Sequence, residues 1–191
     1  MRSSPQARGG RLGFAGIALA ATLIGAPGLS ANYDADVAPD VAVKAALIFN
    51  FAKFAEWPAL PVGAPLALCV VGDNGIAEAL TETVRGQNIS GHRLEVSQPQ
   101  DSADWRICHV LFIADAETRR SANGLGEIRH VPVLTVSDGK GFARAGGIIE
   151  LYVEGGRMRF AINVEAAERS GLHLSSRLLG LARITRDGHV Q

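Results

Sequence analysis

Residues 40–58, DVAVKAALIFNFAKFAEWP, carry apolar side chains at helical spacing, with Val43, Leu47, Phe51 and Phe54 in one stripe. Ile48 and Phe49 widen the apolar surface beyond that stripe, so this helix is either sandwiched in a core or covered by a partner. Asp40 supplies a carboxylate for a free N–H of the first turn, and Pro58 is the expected stop. Residues 66–71 form a short apolar strand that breaks at Gly72, and helical periodicity returns over 76–84. Strands near 93–96, 107–114 and 131–136 follow, with a polar helix around 117–125 between the last two.

Strands alternating with helices predict an α/β fold: a single compact domain whose mostly parallel sheet is flanked by helices. The pattern then changes. Residues 148–153 and 158–162 flank Glu154-Gly155-Gly156-Arg157, a glycine turn that fits a C-terminal β-hairpin. A short helix over 164–169 breaks at Gly171, and residues 175–184 read as a terminal amphipathic helix with Leu174, Leu178, Leu181 and Ala182 on its apolar face. Residues 186–191 read as a frayed tail.

The beginning of the chain adds a compartment. Arg2, Arg8 and Arg11 precede an apolar run over 12–24, followed by small residues over 25–31, the arrangement of a cleaved export signal. The run is shorter than the roughly 20 residues of a membrane-spanning helix, so a permanent anchor is the weaker reading. Cleavage after Ala31 is expected, leaving residues 32–191 as one domain, and no Cys follows the run to take a lipid. Removing residues 1–31 takes away three arginines and no acids, leaving 16 Lys+Arg against 19 Asp+Glu. That balance argues against nucleic acid, whose binding draws on clustered cations neutralising phosphates.

Export also bears on the two cysteines, Cys69 and Cys108. In an oxidising compartment such a pair is by default a disulfide. Cys69 falls near the end of its strand and Cys108 near the start of another, so bridging them asks for staggered strands. Two buried, inert thiols are the alternative. A Cys-x-x-Cys redox site is absent.

Catalytic motifs are thin. The sequence has no Gly-x-Ser-x-Gly elbow, no His-Glu-x-x-His and no clustered Cys/His spacing, so neither a hydrolase nor a metal site is supported, and no cofactor is expected. His92, His109, His130, His173 and His189 are scattered; His109, inside an apolar strand, reads as a hydrogen-bonded structural residue rather than a general base, and His173 as a pH sensor only if it is exposed beside a partner. Ligands of open α/β sheets sit beyond the carboxyl ends of the strands, where this chain places Asp73, Asn74, Asp115, Asp138 and Lys140. Asp73, Asn74, Asp138 and Lys140 are therefore weak candidates for holding a small anion, although the same residue types are ordinary turn and cap chemistry. Phe160, Leu172, Leu174 and Leu178 are candidates for a surface that grips a partner, with core packing as the alternative and the favoured one for Phe160, which alternates with Met158 and Ile162. Arg157, Arg159 and Arg177 read as solvated surface or as groups orienting a partner's acids.

Two stretches carry a resemblance. KAALIFNFAKFAEWP, residues 44–58, and RFAINVEAAERSGLHLSSRLLGLA, residues 159–182, are similar to the opening and closing signatures of the YfiR-like family of periplasmic regulators. Between them, LCVVGDNG and WRICHVLFIA place Cys69 and Cys108 as that family places a disulfide-forming pair. The resemblance implies a non-enzymatic periplasmic α/β domain, able to form a homodimer, that binds the periplasmic sensor domain of an inner-membrane diguanylate cyclase and holds it inactive. Release by an outer-membrane lipoprotein partner, or by redox or envelope stress, raises cyclic di-GMP and favours biofilm formation. Some members carry a second cysteine pair near the hairpin; residues 141–156 here contain none, so redox control through a second bridge does not carry over. The alternative function is a periplasmic small-molecule-binding accessory protein of another membrane sensor.

Overall fold

The central strands are buried on both phases, so successive side chains enter two different cores, one on each face of the sheet. The computed structural model describes residues 39–58 and 60–188; the expected export signal over 1–31 and tail positions 189–191 lie outside the described residues. In chain order these form α1 (Pro39–Lys53), β1 (Ala55–Glu56), β2 (Leu66–Val71), α2 (Asn74–Val84), β3 (Asn88–Ile89), β4 (His92–Ser97), a 3-10 turn (Ser102–Ile107), β5 (Val110–Ile113), α3 (Asp115–Thr118) and α4 (Ala122–Glu127). They continue with β6 (Leu134–Ser137), β7 (Ile149–Glu154), β8 (Arg157–Asn163), α5 (Val164–Arg169), β9 (His173–Leu174), α6 (Ser176–Leu179) and β10 (Arg183–Thr185). An eight-stranded sheet runs β10-β8-β7-β6-β5-β2-β4-β3, and β1 pairs with β9 in a small separate ribbon. The ladders joining β4, β2, β5, β6 and β7 are parallel, as is β10 on β8; β3–β4 and the β7–β8 hairpin are antiparallel.

Leu66, Leu68 and Val70 of β2, Val110 and Phe112 of β5, and Ile149 and Leu151 of β7 point to one face, where α1 and α2 cover them with Ala45, Ile48, Phe51, Ile76 and Leu80. The intervening Cys69, Leu111 and Ile113 point to the other, under Trp105 of the 3-10 turn, Cys108, Ile128 and Val133. A period of two, apolar on both phases, is what a sheet buried on both sides requires. The mostly parallel α/β domain with its C-terminal hairpin is therefore as expected.

Element boundaries differ in instructive places. Helix α1 stops at Lys53, not at Pro58, because Ala55 and Glu56 pair with Leu174 and His173, and the Ser175 N–H reaches the Phe54 carbonyl at 2.9 Å. Its buried face runs through Ala45, Ile48, Phe51 and Ala52, while Val43 is 43% exposed. Small alanines let the helix approach the sheet, so the buried face lies to one side of the expected stripe of larger side chains and shares only Phe51 with it. Asp40 lies inside the helix and pairs with Lys44 at 3.5 Å instead of capping an N–H.

The expected terminal helix over 175–184 shrinks to the single turn of α6, capped by Ser175 Oγ on the Leu178 N–H at 3.3 Å. After Gly180 the chain becomes β10 and satisfies its backbone on the open edge of β8, so Leu181 is left 72% exposed and Leu174 belongs to β9. The tail is docked as far as it is described: Asp187 accepts from Asn163 Nδ2 at 2.6 Å and pairs with Arg169 at 2.9 Å, and the Gly188 N–H donates to Arg144 at 2.9 Å. The single helix expected over 117–125 is two short ones, and the strand expected from 107 starts at Val110 because the preceding residues turn as a 3-10 helix. A Cβ at Gly124 would stand 2.6 Å from the Trp105 ring, so glycine lets α4 seat on that turn.

Candidate functional site

Sheet topology points first to the carboxyl ends of the parallel strands. Asp73 caps α2, its Oδ1 accepting the Ile76 N–H at 3.0 Å, and Asn74 is the exposed first residue of that helix. Asp138, just past β6, is held by two groups of the chain itself: Lys44 Nζ donates to its Oδ2 at 2.7 Å and the Asp115 N–H to its Oδ1 at 2.8 Å. Lys44 and Asp138 side chains are only 14% and 20% exposed. Burial pushes the Lys44 ammonium pKa down, but the hydrogen bond and charge of Asp138, with Asp40 adding to them, outweigh it and leave the value raised. An apolar helix thus brings its own cation into the crevice, where it meets the carboxylate proposed for a ligand. Lys44 was not singled out as a site residue; its signal is a single lysine amid apolar residues 41–49. Lys140 stands apart from this pair, itself exposed on the loop after β6.

The second feature is a covalent one. Cys69 and Cys108 are joined, with Cα atoms 5.9 Å apart. Staggered strands are not needed. In register Cys69 lies opposite Leu111, and Cys108 reaches it from the end of the 3-10 turn, outside β5. The next residue, His109, accepts the Ala67 N–H on Nδ1 at 3.0 Å, and Trp57 Nε1 donates to its carbonyl at 3.2 Å. The Trp57 ring meets the imidazole edge-to-face with centroids 5.9 Å apart. Trp57 therefore ties the segment after α1 to the strand that follows the disulfide. Burial, then repulsion from His92, lowers the His109 pKa from 6.5, and the Nδ1 hydrogen bond requires the neutral ring. His109 is thus placed as a hydrogen-bonded structural residue.

The candidates for partner contact separate into two groups. Leu172 and Leu178 are 1% and 3% exposed and belong to the core, so they present no surface to a partner. Phe160 and Leu174 are half-buried; Phe160 packs edge-to-face on Phe51 at 5.0 Å and Leu174 pairs with Ala55. Val153, 67% exposed, faces half-buried Met158 across the hairpin and shares the sheet face of Phe160. It was not among the sequence candidates, because an apolar residue in an alternating strand is indistinguishable there from core. Arg157, Arg159, Arg177 and His173 are exposed. Among the described residues no three His, Cys, Asp or Glu side chains are grouped to hold a metal ion, and no helix is long and apolar enough to cross a membrane.

The YfiR/HmsC-like domain matches residues 41–183, most of the chain. The chain belongs to the YfiR/HmsC-like family. The match begins in α1 and ends in β10, so it takes in both the disulfide and the ribbon that joins β1 to β9. Among solved structures, the YfiR/HmsC-like chain is similar to a conserved domain protein from Vibrio cholerae O1 biovar El Tor strain N16961, with 15% identity and a TM-score of 0.47 over 76% of this chain and 60% of that one. It thus spans about three-fifths of that protein's length.

Proposed function

We propose that this protein is a periplasmic regulator that binds the periplasmic sensor domain of an inner-membrane diguanylate cyclase and represses cyclic di-GMP synthesis without turning over a substrate itself. Membership of the YfiR/HmsC-like family over residues 41–183 carries the reading, since that family is one of periplasmic regulators of cyclase signalling. Two further features support it. The Cys69–Cys108 bridge suits an oxidising compartment, and the basic-then-apolar pattern over 1–31 suits export. An outer-membrane lipoprotein as the releasing partner and a homodimer as a working form belong to the same reading.

The contact surface we assign is the apolar side of the hairpin together with the β1–β9 ribbon: Val153, Met158, Phe160 and Leu174. It replaces a surface that would have used Leu172 and Leu178, and it is centred on side chains reachable without unfolding. The test is capture from detergent-solubilised membranes of the native organism with mature, C-terminally tagged protein, with and without reductant. Recovery of a membrane diguanylate cyclase supports the reading, and recovery weakened by reductant makes the bridge part of binding competence. Recovery of no specific membrane protein under either condition overturns it.

A further inference from the structure

The loop between β6 and β7 forms a fixed wall. Beneath it Glu150, 7% exposed, accepts the Gly141 and Ala143 N–H groups on its two carboxylate oxygens at 3.1 and 3.2 Å. Phe142 is 5% exposed, and a Cβ on Gly147 would stand 2.1 Å from its ring, so glycine lets the aromatic plug the loop's base. At Gly139 a Cβ would come 2.6 Å from Thr118, which places the loop backbone directly against α3. Between this wall and the α3–α4 segment opens a cleft of about 470 Å³.

Its lining charge is basic, with one carboxylate at the edge: Asp115 Oδ1 lies 3.1 Å from where a Cβ of Gly139 would sit. Arg119, Arg129 and Lys140 line it, no carboxylate does, and among the described residues none of the three makes an ion pair. Arg129 spans the cleft, with Nη2 3.6 Å from where a Cβ of Gly146 would sit. Leu125, Phe142 and Ala145 contribute an apolar lining. The fold brings these three cations to one concavity and, among the described residues, pairs none of them with a carboxylate, so they are open to an incoming anion. Guanidinium forks match phosphate oxygens in pairs, and the volume lies within the roughly 300–1,000 Å³ of small-molecule sites.

We propose that this cleft binds a small organic phosphate, its oxyanion held by Arg119, Arg129 and Lys140 and its apolar body lying along Leu125 and Phe142. The cleft borders the Lys44–Asp138 pair at Gly139 without including either side chain, it shares no lining residue with the hairpin surface, and the proposal does not rest on the identity of the protein partner.

Phenyl phosphate is the probe, titrated into the mature protein at low salt and followed by amide chemical shifts and calorimetry. Saturable binding with shifts at residues 119, 129 and 139–147 is expected, together with weakening by added salt. Inorganic phosphate should bind more weakly and phenol not at all, because each lacks half of the recognition. Arg129→Gln and Lys140→Gln, both on exposed side chains, should retain the wild-type melting curve and each lower affinity by about tenfold, the effect of losing one charged hydrogen-bond partner. Absence of saturable binding at millimolar probe overturns the proposal. So does binding that persists unchanged in both variants, which would put the anion elsewhere, and binding of phenol equal to that of phenyl phosphate, which would remove the charge from recognition.

Discussion

His109 shows how one atom can make stability depend on pH. Its Nδ1 lone pair accepts the Ala67 N–H at 3.0 Å, so a proton there replaces an acceptor by a second donor. Burial and the neighbouring His92 lower its pKa below the ordinary 6.5, which means the unfolded chain takes the proton before the folded one does. The stabilisation is therefore complete above 6.5 and is lost progressively as pH falls from 6.5 towards the lower folded value. Melting temperature should fall more between about pH 7 and pH 5 in the wild type than in His109→Asn, whose side-chain oxygen accepts at any pH. Equal slopes would show that other groups carry the acid sensitivity. Lys44 works in the opposite range: its raised pKa places the loss of its contribution above 10.5, as the ammonium is deprotonated. Lys44→Met should lower unfolding stability in urea by about 2 kcal/mol, between the values for exposed and fully buried pairs, because Asp138 is left partly buried without its cation. Asp73→Ala should cost about 1 kcal/mol, the usual loss of a helix cap. Neither substitution should change capture of the membrane partner, since both residues serve the fold.

At the scale of elements, what the sequence reveals depends on where each backbone hydrogen bond ends. Residues 66–71 and 110–113 were legible as strands because both phases of their period-two pattern are apolar, and a buried sheet demands that. The hairpin was legible from Gly155 and Gly156, whose φ values of 58° and 72° are ones that glycine adopts without strain. By contrast β1, β9 and β10 are two or three residues long and exist only because a distant partner accepts them, as Leu174 does for Ala55 and Ile162 for Ile184. Periodicity within a segment carries no trace of such a partner, so helical patterns were extended through 54–58 and 180–184. The candidate sites were legible to the same degree. Residue type marked Asp138 as chemistry, but only the packing of α1 shows Lys44 meeting it at 2.7 Å. The disulfide was legible from compartment and count, while its geometry depended on a 3-10 turn outside β5. That bridge closes a loop of 39 residues, and constraining such a loop in the unfolded chain is worth about 4 kcal/mol. The Cys69→Ser/Cys108→Ser double variant should lose stability of that order in denaturant unfolding, and reductant should lower the wild type but not the variant. A loss that appears with reductant in both would remove the bridge as its cause.

For the whole molecule, the distribution of apolar surface decides which residues can act on a partner. The sheet's α1–α2 face is sealed at its centre, where Leu68, Val110 and Phe112 are fully buried, and opens at the hairpin, where Val153 is 67% exposed. Phe160 and Leu174 are half-buried between these limits. A partner that grips this region gains most from Val153, which gives up the most water, whereas Leu172 is already desolvated in the free protein. Charged replacements separate the two cases. Val153→Asp should leave the melting temperature within a few degrees of wild type, because an exposed strand position tolerates charge, yet should reduce capture of the proposed membrane partner by about tenfold or more, as expected if it removes a desolvated apolar contact. Leu174→Asp, on a half-buried ribbon, should reduce capture with a moderate stability loss. Leu172→Asp should fail to fold, since it buries an unpaired carboxylate in the core. Should Val153→Asp capture as well as wild type while Leu174→Asp loses capture only in proportion to its unfolded fraction, the hairpin is not the contact. The regulator would then bind through another face, and the exposed apolar residues Leu181 and Ile184 at the β10 edge would be the next to replace.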